Sequence, residues 1–257
     1  MNIIACVRQT PDTETVIKIN GAGTGIETDG VKFVLGPYDE YALEAAAQIK
    51  EKSGGDVTAV TVGGDRAAET LRHCLAVGAD KAIHIQDVGA TGDDALAVAT
   101  ALANQIKKLP HDLVFVSNKG TDSDRGAVGP MLSELLDLPY VGLVTEIEVE
   151  DGSVLVSRDV EGGAKERYRV KLPAVICAQK GVSGEPRYAS LPAIMKAKKK
   201  PIEAVAIDGD VSGLRKVELE KLEYPPARPP GRMVPGESAA DKAKELVRLL
   251  RNEAKVI

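Results

Sequence analysis

Short apolar runs recur along the first half of the chain and alternate with longer stretches whose apolar residues have helical spacing. The runs cover residues 2–7, 56–62, 81–85 and 112–117, and each is apolar almost throughout. Such runs are typical of strands in a parallel sheet whose two faces are both covered by helices. The pattern therefore predicts an α/β fold with a doubly wound, mostly parallel sheet.

The stretches between these runs predict helices. They begin near Tyr38, Asp65, Gly92 and Gly126, and each repeats its apolar residues at the period of one helix face. In the second helix, we expect Asp65 to cap the N-terminus, because an aspartate side chain accepts hydrogen bonds from the first turn. We expect Gly78 to end the same helix, because glycine adopts the backbone conformation that follows many helices.

The pattern changes after the fourth predicted helix. Residues 143–179 alternate polar and apolar positions, and turn sequences occur at Asp151-Gly152 and Gly162-Gly163. Alternation interrupted by such turns is the pattern of antiparallel strands joined by hairpins. We therefore expect an antiparallel meander attached to the parallel sheet.

Residues 201–257 predict a C-terminal arm that is separate from a domain in residues 1–200. Five prolines lie between residues 222 and 236, and they oppose any regular helix or sheet there. A last amphipathic helix follows, with Ser238 as its expected N-cap. An arm of this kind either folds back on its own domain or wraps a partner, and the residues by themselves leave both possibilities open.

Composition restricts the class of protein. The chain has 257 residues, 44% of them hydrophobic, which suits one large domain with appendages. The formal net charge is −5, so the charge does not indicate nucleic-acid binding. No apolar run is long enough for a transmembrane helix, and the N-terminus lacks the pattern of a signal peptide. We therefore expect a cytoplasmic protein without membrane insertion.

The cysteines and histidines predict neither disulfides nor a metal site. Cys6, Cys74 and Cys177 are odd in number, far apart and outside any CxxC pair. This usage is typical of reduced, buried thiols in a cytosolic protein. The three histidines lack the spacing of metal ligands.

The glycine-rich run at residues 21–25 does not predict a dinucleotide site. A dinucleotide fingerprint must open a helix, whereas the flanking sequences TVIKIN and IETDGVKFVL are strand-like. We expect a hairpin or loop at this position.

A polar loop after the fourth strand is the first candidate for a binding site. It starts at Ser117 and enters a helix through Gly126, Ala127, Val128 and Gly129. Small residues let backbone N–H groups approach an anion, and the helix N-terminus adds partial positive charge. The loop has no GK[ST] sequence and is not a Walker loop. From these residues alone, a phosphate site and an ordinary strand-to-helix loop both stay open.

A second candidate is the segment GEPRYASLPAIMKAKKK at residues 184–200, which joins a charged turn to a lysine-rich end. The lysines alone indicate solvated charge after a short helix. A polybasic membrane contact would need a neighbouring anchor, and none is present in the sequence.

Several segments resemble the electron transfer flavoprotein beta-subunit family. The segments VEGGAKERYRVKLPAVICA (160–178) and GEPRYASLPAIMKAKKKPI (184–202) are similar to the characteristic part of that family. The same holds for TDGVKF (28–33), GPYDEYALEAA (36–46) and AETLRHCLAVGADKAIHI (68–85). The likeness extends over nearly the whole chain.

The resemblance implies a soluble electron carrier rather than an enzyme. Its members pair with an alpha subunit as a heterodimer, and FAD is held mainly by alpha while beta covers the flavin ring. The family's fold resembles the adenine nucleotide alpha hydrolases, and its common type binds a structural AMP. Residues 201–257 would contact alpha. The electrons would come from flavin dehydrogenases and pass to a membrane quinone reductase or another acceptor.

The resemblance also implies which residues bind. The nucleotide residues follow strand ends and the polar loop, and they are Cys6, Gly36, Pro37, Tyr38, Asp39, Val62, Gly63, Asp122, Asp124, Arg125, Gly126, Ala127, Val128 and Gly129. Thr13 corresponds to a position beside the flavin of alpha. A recognition loop near residues 183–190, which docks on the electron donor, would include Ser183, Gly184, Glu185, Pro186, Arg187 and Tyr188.

Two departures bear on these expectations. The common type has a leucine anchor where this chain has Ser183. It also has polar side chains where this chain has Gly126, Ala127 and Val128, and this difference resembles electron-bifurcating, NADH-oxidising relatives in which a second FAD replaces AMP. We expect AMP, with a second FAD as the alternative.

Two other classes of protein are alternatives to a carrier subunit. The first is a stand-alone nucleotide-sensing module, for which the proline-rich arm would serve no purpose. An ATP pyrophosphatase on the same fold is disfavoured, because CVRQTPDT lacks the expected loop after the first strand.

Overall fold

A nine-stranded sheet forms the centre of the computed structural model, which describes residues 1–228 and 230–257. The strands in chain order are β1 (Asn2–Cys6), β2 (Gln9–Pro11), β3 (Phe33–Leu35), β4 (Asp56–Gly63), β5 (Lys81–Gln86), β6 (Leu113–Ser117), β7 (Tyr140–Glu150), β8 (Ser153–Asp159), β9 (Lys165–Lys171), β10 (Ala174–Ala178) and β11 (Glu203–Ala206). The helices are α1 (Pro37–Ser53), α2 (Ala67–Val77), α3 (Ala95–Ile106), α4 (Val128–Leu136), α5 (Leu191–Ala197) and α6 (Ala239–Leu249).

The sheet order is β11-β5-β4-β1-β6-β10-β7-β8-β9, and β2 pairs with β3 in a separate antiparallel ribbon. The first seven strands in this order, from β11 at the edge to β7, are parallel to one another. Strand β8 pairs antiparallel with both β7 and β9. After β1, the next strands of the sheet, β4 and β5, are added on one side of β1, and β6 is then added on its other side, so the strand order reverses at β1. The structure therefore confirms the predicted fold class, a doubly wound α/β sheet with an antiparallel extension and a helix near the C-terminus.

One part of the predicted meander is wrong. Residues 174–178 do not continue the antiparallel strands but form β10, which lies between β6 and β7 and is parallel to both. All five residues of β10 are buried. This agrees with their continuous apolar sequence, which suits a central strand covered on both faces.

Two apolar layers cover the sheet. One contains alanines of α1 such as Ala42 and Ala46, packed with Leu71 of α2 against the sheet. The other contains α3 and α4 residues such as Ile106 and Leu132. Phe115 of β6 is fully buried in the first layer. Because the α1 residues are small, the helix can approach the strands closely, and few aromatic side chains are needed to fill the core.

The helix ends are partly as predicted. Gly78 ends α2, where its N–H donates to the carbonyl of Cys74. The predicted cap Asp65 is wrong, because α2 begins at Ala67 after Arg66 and no side chain caps it. Asp94 instead caps α3, and its carboxylate accepts the N–H groups of Leu96 and Ala97.

Residues 21–25 form a turn closed by a bridge between Ile19 and Ile26, as predicted, and no helix follows. The cysteines are buried free thiols, also as predicted. Within the described residues, no helix is both long and apolar enough to cross a bilayer. The same residues contain no group of His, Cys, Asp or Glu side chains placed to hold a metal.

The chain divides into two units, Met1–Glu220 and Lys221–Ile257. The predicted boundary at residue 200 precedes β11, which belongs to the main sheet. In the second unit, the described residues before α6 have no helix or strand. Ser238 caps α6 as predicted, in a reciprocal capping box with Asp241.

Candidate functional site

A cleft of about 600 Å³ lies at the carboxyl ends of β1, β4 and β6 and at the start of α4. This is the edge at which ligands bind in doubly wound sheets. Most of the predicted nucleotide residues line it, namely Cys6, Asp39, Val62, Gly63, Arg125, Gly126, Ala127, Val128 and Gly129. Gly36, Pro37, Tyr38, Asp122 and Asp124 do not line it and lie behind or beside the lining residues.

The loop that enters α4 is built for close approach of a backbone to a ligand. Gly126 has φ of +59°, and a Cβ atom there would lie 3.1 Å from the carbonyl oxygen of Asn118. Ala127 occupies the N-cap position of α4 without a side-chain cap. The N–H groups at the start of α4 can therefore donate to an anion, which the helix N-terminus also favours.

Arg8 joins two loops at the cleft, and its role was missed in the sequence. Its guanidinium contacts the carboxylates of Asp93 at 2.8 Å and Asp122 at 2.6 Å. Burial works against the charged form, but the two carboxylates outweigh burial and raise the pKa of Arg8. The signal available in the sequence was a cation two residues after β1.

Two further cations at the cleft also have acidic or carbonyl partners, whereas Arg66 lies over the ring of Phe33. Arg125 donates to the carbonyl oxygen of Asp93 at 2.6 Å. Lys119 pairs with Asp124 at 2.7 Å and lies 6.0 Å from the centre of the Tyr38 ring. Asp124 and Tyr38 therefore contact a lysine of the cleft lining rather than the cleft itself.

Asp39 is the buried acidic residue of the cleft. Its side chain lies in the first turn of α1, and the residue is 2% exposed. Its Oδ2 atom accepts the backbone N–H of Arg8 at 3.2 Å. Burial is the main cause that raises the pKa of Asp39 to about 7. Gly36 accommodates this carboxyl group, since a Cβ at Gly36 would lie 2.2 Å from Oδ2.

Cys6 adds no reactive thiolate to the cleft. Burial, followed by the charge of Asp39, raises the pKa of Cys6 to about 12. The thiol therefore stays protonated at neutral pH and is a poor nucleophile. Thr13 is exposed, lies after β2 and does not line this cleft.

The predicted recognition loop is held on α1 by four side chains of one helix face. Arg187 donates to Glu44 through Nε at 2.8 Å and also pairs with Glu51. Gln48 donates to the carbonyl oxygen of Ser183 at 2.9 Å, and Tyr41 donates to Glu185 at 3.3 Å. The loop is therefore preformed rather than free.

The side chains of this loop face different directions. Tyr188 is 98% exposed, whereas Arg187 is directed onto α1, where the side chain of Glu44 is only 5% exposed. Arg187 therefore does not project into solvent as Tyr188 does, because the buried carboxylate of Glu44 requires its charge. Sequence reasoning missed Glu44, whose only signal was a polar residue among the buried alanines of α1.

The lysine-rich end is only partly solvated. Lys196, Lys198 and Lys199 are exposed. Lys200 donates to the carbonyl oxygen of Ala79 at 3.0 Å, and Arg72 donates to the carbonyl oxygens of Ala197 and Lys200. The end of this segment is thus fastened to the domain, and the expectation of purely solvated charge does not hold for Lys200.

Comparison with known proteins connects these features. A family model described as the electron transfer flavoprotein domain matches residues 24–209. The chain is 42% identical to electron transfer flavoprotein subunit beta of Bacillus subtilis, over 100% of both chains. It is 37% identical to the protein of that name from Mus musculus, over 97% of this chain and 99% of the relative. It is 34% identical to the protein of that name from Syntrophomonas wolfei, over 100% of this chain and 98% of the relative.

The chain belongs to the electron transfer flavoprotein beta-subunit family. The resemblance seen in the sequence is thereby confirmed. A beta subunit of an electron transfer flavoprotein is part of an electron carrier rather than an enzyme, and its designation implies an alpha partner. Both regions with predicted binding residues, the cleft and the 183–188 loop, include residues of the segment matched by the family model.

Proposed function

We propose that this chain is the beta half of a heterodimeric carrier that takes electrons from flavin dehydrogenases and passes them to a quinone reductase or another acceptor. The observation that carries the proposal is full-length similarity to proteins named electron transfer flavoprotein subunit beta. FAD would be held mainly by alpha, with Thr13 near its ring, and when bound it supplies the redox chemistry. The same similarity favours a carrier over a stand-alone nucleotide sensor.

The cleft is proposed to hold AMP as a structural group. Its residues fit a nucleotide in three respects. The start of α4 offers backbone donors to a phosphate, Gly126 lets the backbone approach, and Arg125, whose side chain donates to a backbone carbonyl oxygen, brings positive charge to the same loop. The protein's role at this site is to bind and orient, since no residue there is needed as an acid, base or nucleophile.

The second candidate is an electron-bifurcating relative with a second FAD in place of AMP. The observation that favours it is the small size of the residues at the start of α4, where Gly126, Ala127 and Val128 replace the polar side chains of the common type. Small side chains leave room for a larger ligand. A subunit of this second kind would be expected to support NADH oxidation.

The deciding experiment is a nucleotide count. The chain is purified together with its alpha subunit and denatured, and the released nucleotides are separated and quantified. One FAD and one AMP per heterodimer support the simple carrier. Two FAD and no AMP would overturn the AMP assignment and favour the bifurcating type, which NADH oxidation would then corroborate.

A second measurement separates the roles of the subunits. Flavin absorbance is recorded for this chain expressed alone and together with alpha. The chain alone is expected to carry little FAD, because alpha holds most of the flavin contacts in the proposal. Stoichiometric FAD on the isolated chain would contradict it.

A further inference from the structure

We propose that Asp39 makes nucleotide binding at the cleft proton-linked, because its carboxylate accepts a hydrogen bond from an O–H or N–H group of the ligand and binding therefore releases its proton to solvent. The inference rests on the proposed nucleotide site and adds a pH-dependent group to it. The donors in question are those of an adenine nucleoside, the ribose hydroxyls and the amino group of the base.

The position of Asp39 supports this role. The residue is 2% exposed, yet it lines the cleft, so the small accessible part of the residue faces the ligand space. The backbone of Gly36 packs directly against the Asp39 carboxyl group, since even a Cβ atom at Gly36 would lie 2.2 Å from Oδ2. This packing restricts the orientation of the Asp39 side chain. A ligand that fills the cleft therefore meets a carboxyl group held in one place.

An existing hydrogen bond prepares the group as an acceptor. The backbone N–H of Arg8 donates to Oδ2 of Asp39 at 3.2 Å. This bond favours the ionised form. A further donor from a ligand would act in the same direction, because hydrogen bonds to the charged form lower a carboxyl pKa.

The charged and titratable groups around Asp39 do not neutralise it. The charge of Arg8 favours ionisation of Asp39, but Arg8 is paired with Asp93 and Asp122, and Asp122 opposes that ionisation. Burial raises the pKa values of the thiols of Cys6 on β1 and Cys74 on α2, and the charge of Asp39 raises them further. Burial thus leaves the Asp39 pKa at about 7 in the ligand-free protein.

The expected consequence is a rise in affinity with pH. If the bound carboxylate stays ionised down to about pH 6, the affinity should increase about tenfold from about pH 6 to about pH 8. A ligand that approached Asp39 with an anionic group would have the opposite effect, because it would raise the carboxyl pKa and cause proton uptake.

The test uses the nucleotide-depleted heterodimer and AMP as the probe. Calorimetric titrations near neutral pH, in two buffers with different ionisation heats, count the protons exchanged on binding. The phosphate of AMP titrates near pH 6, so adenosine, which lacks that group, is titrated in parallel. Proton release with both ligands, and an affinity that rises with pH, are expected for the unchanged protein.

Asp39→Asn keeps the size of the side chain but cannot ionise. It should remove the proton release seen with adenosine and make adenosine affinity independent of pH. Asp151→Asn, at an exposed carboxylate in the turn between β7 and β8, is the control and should retain the release. The adenosine titration of the unchanged protein keeps the test valid if Asp39→Asn does not fold.

Two failures are distinguishable. Adenosine binding to the unchanged protein without proton release, or with the same proton release in Asp39→Asn as in the unchanged protein, would overturn this inference alone. Absence of AMP and adenosine binding at every pH, together with two FAD in the nucleotide count, would overturn the proposed AMP site as well.

Discussion

The cleft and the 183–188 loop are both built on α1 but use their charges in different ways. At the start of α1, Asp39 is buried beside the cleft without an ion-pair partner of its own. Further along the helix, Glu44 is also buried but is paired with Arg187. Both are acidic residues of one helix in one protein.

The difference indicates that the charge of Glu44 stabilises the fold, whereas the charge of Asp39 is available to a ligand. Burial works against ionisation at both sites, but at Glu44 the hydrogen bonds of Arg187 outweigh burial and lower its pKa. At Asp39 burial dominates and the pKa is raised. A buried carboxylate that has a cationic partner within the chain stabilises the fold. One without such a partner lowers the folding stability when it ionises, and a hydrogen-bond donor on a ligand can then stabilise its charge.

The largest effect on folding stability is expected from Asp39→Asn. Because the folded-state pKa of Asp39 is raised, its ionisation weakens the ligand-free protein as pH rises towards and through about 7. Asparagine escapes this loss, so the variant's advantage in unfolding free energy should grow by about 2–3 kcal/mol from about pH 5 to about pH 8. Urea unfolding at both pH values measures it. Parallel pH profiles of the variant and the unchanged protein would refute the buried-charge interpretation.

Arg187→Ala should have the second-largest effect. It should lower the free energy of unfolding by about 2 kcal/mol at neutral pH, because it leaves Glu44 buried without its cation. Since the Glu44 pKa is lowered from 4.5 in the fold, this contribution is present above that pH and disappears as the pH falls below it. The loss should therefore shrink in acid. Arg167→Ala, at an exposed arginine of β9, is the control for thermal unfolding, and an equal loss there would remove the special role of Arg187.

Gly126→Ala should lower the free energy of unfolding by about 1 kcal/mol, because alanine is disfavoured at the backbone angle of this position, φ of +59°. It should also reduce the nucleotide content of the purified heterodimer, since the loop that enters α4 must shift. Gly21→Ala, whose Cβ would meet no atom within 4 Å, is the control. Full nucleotide content in Gly126→Ala would show that the cleft tolerates this change of backbone.

Tyr188→Ala should have the smallest effect on stability, less than about 0.5 kcal/mol, because the side chain is 98% exposed. If this loop docks the electron donor, electron delivery from the cognate flavin dehydrogenase should nevertheless weaken by about thirtyfold in apparent affinity. Val88→Ala, at another fully exposed apolar residue, should change neither quantity. A matching loss of stability and electron delivery in Tyr188→Ala would make the loop structural.

Periodicity and local chemistry in the sequence predicted four strands of the parallel sheet, β1, β4, β5 and β6, and the helices that follow them, together with the end of α2 at Gly78 and the cap of α6 at Ser238. It also predicted that the loop into α4 would lie at the ligand edge of the sheet. These features depend on hydrogen bonds and side-chain spacing within a few residues, so they can be recognised from neighbouring residues.

Only the tertiary structure decided the position of β10 and the partners of the charged residues. Residues 174–178 have the pattern of a strand, but the neighbours of that strand depend on how the whole sheet packs. Arg187 and Glu44 are 143 positions apart, and no local pattern connects them. The raised pKa of Asp39 likewise arises from burial by segments distant in the sequence, because desolvation depends on everything packed around a group and not on its neighbours along the chain.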